Sequence, residues 1–192
     1  PVGAVNVLEA AAATLGLVNI LLVVRRSIWN FPFGLAMVAF YGWLFAQPSV
    51  RLYSQAALQL FFAGLQVYGW WSWSRARETE SGPVQVRALP ARGWWVCIAL
   101  ILGATAAWGA AMHRFTSAAQ PWWDAFIAMA SIAAQLLMAR RFVESWRVWI
   151  AVDLVAIGLY AREGLALTAV LYVLFLGLSI WGLVGWRRAL AA

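Results

Sequence analysis

WRVWIAVDLVAIGLY, Trp146 to Tyr160, is apolar or aromatic almost throughout, yet it holds Asp153 near its middle. A carboxylate at the centre of a membrane span costs roughly 2.5–3.5 kcal/mol on insertion scales, and such a residue generally marks a functional position. The plain alternative is a carboxyl that bonds a neighbouring helix or faces a water-filled gap and does nothing else. The rest of the chain decides whether this stretch crosses a bilayer and what Asp153 could bind there.

The 192 residues are 65% hydrophobic and 11% charged, against about 25% charged in a soluble domain. That composition is an integral membrane protein rather than a domain with a large core. The apolar runs are long and lack the short alternation of a barrel, so the spans are helical. The net charge of +7 comes from 14 arginines and no lysine. In a soluble protein such a balance would suggest nucleic acid. Here the arginines cluster between apolar runs and read as topology signals and lipid-headgroup contacts, with no nucleic-acid partner. One cysteine, Cys97, excludes an internal disulfide, and with one histidine, His113, no ordinary zinc or haem site can be built. No cofactor is expected. No cleavable signal peptide is evident, because no basic segment precedes the first apolar run.

Working outward from Asp153, seven apolar segments emerge, at about 6–24, 29–46, 52–74, 93–112, 121–139, 146–161 and 165–186. Seven spans put the termini on opposite sides. Eleven arginines then fall on one side, and only Arg51, Arg114 and Arg162 on the other. The positive-inside rule places the N-terminus outside and the C-terminus in the cytoplasm. The connection 75–92, with Gly82, Pro83 and Pro90, reads as a solvated cytoplasmic linker.

The chain repeats itself. Tyr68-Gly69 followed by Trp73 matches Trp181-Gly182 followed by Trp186, and arginines follow both. Glu9 with Arg25-Arg26 matches Asp124 with Arg140-Arg141, 115 residues on. Gly34 and Tyr41 have the spacing of Asp153 and Tyr160. Spans 1–3 therefore resemble spans 5–7, and span 4 inverts the chain between them. The expected division is 1–74 as a first three-helix repeat, 75–120 as loop and linker helix, and 121–192 as a second repeat. Parallel repeats with a site between them are a transporter architecture.

Polar groups at depth are the candidates for chemistry. Asp153 is the deepest charge. Trp149 lies one turn before it on the same helix face, and Tyr160 lies two turns beyond. An aromatic wall beside a carboxylate suits a flat cationic heteroaromatic ring, and Tyr160 and Tyr41 could bond a sugar. Gln55 and Gln59 in span 3, Gln135 in span 5, Asn19 in span 1 and Asn30 at the start of span 2 are further candidates. A lone Gln in a membrane helix often just bonds another helix, at about 0.6 kcal/mol. Asp124 follows Pro121-Trp122-Trp123; Pro and an acid in a first turn are also ordinary helix-start chemistry. Many of the 14 Trp fall at expected interfaces, where a Trp belt belongs. Without lysine there is no Walker A motif and no retinal Schiff base, and no HExxH, GxSxG or Cys/His pair occurs. An enzyme is the weaker class.

WNFPFGLAMVAFYGWLF (29–45), LYSQAALQLFFAGLQVYGWWSW (52–73) and the long run 123–188 resemble the PnuC family of vitamin transporters. The resemblance implies an all-α membrane protein in a 3-1-3 arrangement like a SWEET transporter, a homotrimer, and a bacterial inner-membrane location. It implies uptake of nicotinamide riboside by facilitated diffusion, with trapping through phosphorylation by a cytoplasmic kinase. Thiamine and riboflavin are the alternatives within the family. The family pattern often carries Asn where this chain has Asp153, a departure that raises the thiamine alternative. A membrane sensor or scaffold that binds such a ligand without moving it is the reading outside the transporter class.

Overall fold

The computed structural model describes residues 14–46, 53–79, 84–115, 120–162 and 166–191. These form seven helices: α1 (Thr14–Val24), α2 (Asn30–Ala46), α3 (Tyr53–Thr79), α4 (Ala91–Phe115), α5 (Pro121–Ala139), α6 (Glu144–Arg162) and α7 (Ala166–Ala191). Glu9 and Arg51 lie outside the described residues, as does the Gln55 side chain. α4, α5 and the part Ala169–Ala191 of α7 are long and apolar enough to cross a membrane. Among the described residues the other helices are shorter or more polar. α6 carries Glu144, Arg147, Asp153 and Arg162 within 19 residues. α3 is diluted by Gln, Ser, Tyr and Trp.

The chain divides after Gln85 into two compact units. In the first, α2 packs on α3. In the second, α5 packs on both α4 and α6, and α6 packs on α7. The core of the second unit is Ile101, Ala130, Ala134, Val148 and Val152. Alanines at 130 and 134 share one face of α5, so neighbouring helices come close, the usual means of association where lipid removes the hydrophobic drive. Most of the α4 surface is uncovered, including Trp95, Leu100 and Trp108. Such surface suits lipid or another subunit.

Two tight turns show how far the repeat extends. After α1, the Arg26 amide bonds the Val23 carbonyl (2.9 Å) and the Ser27 amide bonds that of Leu22 (2.9 Å). After α5, the Arg141 amide bonds the Met138 carbonyl (2.9 Å) and the Phe142 amide bonds that of Leu137 (2.9 Å). This is the Schellman pattern, which calls for a left-handed residue, usually glycine. Here arginine fills it both times, with φ of 55° at Arg26 and 69° at Arg141. Next come the bonds Phe31 to Ile28 (3.2 Å) and Trp146 to Val143 (3.2 Å). Every pair is offset by 115 residues.

That offset carries through into α2 and α6. It pairs Gly34 with Trp149 and Val38 with Asp153. The pairing of Gly34 with Asp153 suggested by the sequence is four residues out of register, because it matched a spacing of seven and not the turn that sets the helix start. At the other end, Phe31 meets Trp73 edge-on at 5.2 Å and 87°, and Trp146 meets Trp186 at 5.6 Å and 87°. Both tryptophans are buried. The Tyr-Gly and Trp-Gly repeats thus mark the same packing point in each unit. Gly182 is required there, since a Cβ would lie 2.6 Å from the Trp146 ring.

The connection after α3 is shorter and less free than expected. α3 runs on to Thr79, and residues 84–90 are fastened down. The Arg26 guanidinium donates to the Val84 carbonyl (3.5 Å). Arg87 exchanges backbone bonds with Arg141 and Val143 (2.9 Å each), in a parallel bridge with Phe142. The Leu89 amide donates to the Glu144 carboxylate (3.0 Å). Val84 and Val86 are buried. The alternating Val84-Gln85-Val86 signal was hidden by its charged flanks.

Candidate functional site

In the second unit the site is built on α6. Val148 and Val152 face α5 and anchor the helix in the core. Asp153 is turned toward α7, where it is 3% exposed. The Ser179 hydroxyl donates to its Oδ2 at 2.9 Å. Ser179 was not singled out in the sequence, because serine in a membrane helix is common and carries no signal alone. One hydroxyl leaves most of the acceptor capacity of a carboxylate unused. Trp149 is half-buried against the apolar cluster of α4, α5 and α6. Its ring is therefore braced by protein rather than loose. Tyr160 stacks obliquely with Tyr172 of α7, 5.3 Å between centroids. Gln135 is half-buried on α5, and Asp124 is exposed in its first turn. Pro121 opens that helix, as helix-start chemistry predicts.

In the first unit a polar group gathers at the start of α2. The Asn19 amide donates to the Asn30 carbonyl, and the Asn30 amide donates to the Ser27 carbonyl at 2.7 Å. Asn30 is 2% exposed and is engaged in holding the turn. Gly34, one turn along, leaves a gap that Gln66 and Asn19 fill. A Cβ at Gly34 would come within 2.8 Å of Asn19 Nδ2 and closer still to the Gln66 amide. Gln66 is 5% exposed, and its Oε1 is buried without a hydrogen-bond partner. An acceptor in that condition costs about 1–3 kcal/mol, which a ligand N–H could recover.

Gln66 was missed in the sequence, although a signal existed. It lies two turns beyond Gln59, on the same face of α3. Gln59 is half-buried and would touch a side chain at Gly42 through its Cβ, 3.4 Å away. Tyr41 is half-buried beside it on α2. By the Trp73–Trp186 register, Gln66 corresponds to Ser179. Each unit thus carries a buried polar residue at the same place on its last helix. Among the described residues no cluster of metal-ligating side chains occurs.

Apolar helices that carry a few buried polar side chains are the composition of a membrane transporter. The chain belongs to the nicotinamide mononucleotide transporter family, whose profile matches residues 6–188. It is 27% identical to the nicotinamide riboside transporter PnuC of Escherichia coli, over 97% of this chain and 89% of that protein. It is 32% identical to the riboflavin/roseoflavin transporter RibM of Streptomyces davaonensis, over 90% of this chain and 80% of that one. Among solved structures, the crystal structure of the vitamin B3 transporter PnuC superimposes with a TM-score of 0.75 at 27% identity, covering 96% of this chain and 82% of its own.

Proposed function

We propose that this protein takes up nicotinamide riboside by facilitated diffusion across a bacterial inner membrane. The observation that carries the reading is Asp153, a buried carboxyl group in α6 held by a single hydroxyl. A pyridinium cation supplies the opposite charge, and Trp149 a face to stack on. In the first unit, the orphan oxygen of Gln66 is an acceptor of the kind a carboxamide N–H needs. Asn30, Tyr41, Gln55, Gln59, Asp124, Gln135 and Tyr160 complete the set of contacts, the tyrosines toward the ribose. The proposal includes the 3-1-3 arrangement of helices with 1–74, 75–120 and 121–192 as its parts, and a homotrimer. It includes an external N-terminus and a cytoplasmic C-terminus, supported by eleven arginines against three. A cytoplasmic kinase traps the product by phosphorylation.

A second reading is favoured by the 32% identity to a riboflavin/roseoflavin transporter. Isoalloxazine is a neutral ring, so it can offer a carboxylate its imide N–H but no opposite charge. Thermal unfolding of the purified protein with nicotinamide riboside, thiamine and riboflavin separates these. A ligand that binds only the folded state raises stability with the logarithm of its concentration. Nicotinamide riboside is expected to raise the midpoint most. A shift with riboflavin alone would replace this reading with the second.

A further inference from the structure

A groove of about 340 Å³ opens on the second unit, apart from the Asp153–Ser179 pair, lined by Gln120, Trp123, Leu154, Val155, Gly158, Leu159 and Arg162. Its composition is graded. Arg162 and Gln120 occupy helix ends, the last residue of α6 and the residue capping α5. Leu154 and Val155 lie toward the middle of α6. Leu154 to Arg162 spans about 12 Å along the axis. One end therefore lies at the membrane boundary and the other in hydrocarbon. Trp123 is of the kind that sits at a headgroup level.

Two features give the polar end its character. The Arg162 guanidinium is exposed and forms no ion pair among the described residues. The Gln120 side chain makes no capping bond to α5, and its amide carries an NH2 donor besides its oxygen. Gly158 faces open space in the groove: a Cβ there would meet nothing within 4 Å. A larger residue would close the groove without displacing the core.

We infer that this groove seats one phospholipid with an anionic headgroup. Its phosphate pairs with Arg162 and Gln120, and the upper part of one acyl chain lies along Trp123, Leu154, Val155 and Gly158. Charge complementarity at one end and an apolar wall at the other select this occupant over a soluble anion or a neutral detergent. The volume suits a length of chain and not a whole lipid, so the second chain stays in the bilayer.

The test is native mass spectrometry of the full-length protein in detergent, mixed with equal amounts of dioleoyl phosphatidylglycerol and dioleoyl phosphatidylcholine. The wild type is expected to retain phosphatidylglycerol about fivefold over phosphatidylcholine, the scale of one arginine at an anionic headgroup. Arg162→Gln should bring the two near parity while total bound lipid persists. Gly158→Leu should lose both adducts with the melting temperature unchanged. Leu154→Trp fills the same groove from a neighbouring position and carries the test if Gly158→Leu does not accumulate. An unchanged preference in Arg162→Gln, or a full lipid count in both groove-filling variants, would overturn the assignment. So would a change of oligomeric state with lipid retention intact, which would make the groove a seat for a second copy of the chain.

Discussion

Asp153 and Gln66 are both buried polar side chains, and replacing each separates its part in binding from its part in the fold. Asp153→Asn keeps the size and the Ser179 bond and removes only the charge. Affinity for nicotinamide riboside is expected to fall by about tenfold or more, since close charge pairs couple by roughly 1.5 kcal/mol upward. A neutral analogue with a reduced ring should bind with little change; calorimetric titration of both ligands reads the difference. Equal losses for the two would assign Asp153 a packing role. Gln66→Leu removes an acceptor that has no partner. It should raise the melting temperature of the ligand-free protein while weakening substrate binding, the usual trade between stability and a strained site. A lowered melting temperature would mean that Gln66 is bonded within the fold. Gly34→Ala pushes a methyl group into Gln66 and Asn19. Overpacking of this kind costs about 1–3 kcal/mol, visible as a lower melting temperature. Asp153 was legible in the sequence because a lone carboxyl in an apolar run is conspicuous. Gln66 was not, because α3 offers three glutamines and only depth and neighbours tell them apart.

The elements were legible where apolar length decides them, and less so where the backbone does. All seven helices coincide with apolar segments, but α3, α4 and α7 run several residues beyond the apolar part. Charged residues near helix ends snorkel to the interface, so polarity alone does not stop a helix. The Schellman turns left no glycine to read. Arginine in a left-handed conformation costs roughly 1–2 kcal/mol, and the turns hold it through paired backbone bonds. The repeated Arg-Arg pairs gave the correct offset without revealing that reason. The strap 84–90 yields a prediction at this scale. Glu144 accepts from the Leu89 amide, and Arg87 is held in a backbone bridge. Glu144→Ala should leave the helices intact by circular dichroism and speed tryptic cleavage after Arg87 severalfold. Cleavage at the wild-type rate would show that the Arg87 bridge suffices alone.

At the scale of the whole molecule the question is what drives the solute. The chain has no lysine, hence no Walker A site for ATP, and among the described residues the buried carboxyl groups are Glu144 and Asp153. A carrier without an energy source equilibrates its substrate and goes no further. Purified protein in vesicles should therefore bring internal nicotinamide riboside up to the external concentration and stop there. Collapsing proton or sodium gradients should change neither the rate nor the plateau. Enclosing a nicotinamide riboside kinase with ATP should then lift total internal label far above the external level, because the added negative charge of the phosphate disfavours return through the proposed site. Binding without entry would make the protein a sensor or scaffold. Accumulation of unmodified substrate above the external level would require coupling to an ion, with Asp153 the first residue to examine, since a buried carboxyl is the group best able to carry a proton or pair with sodium.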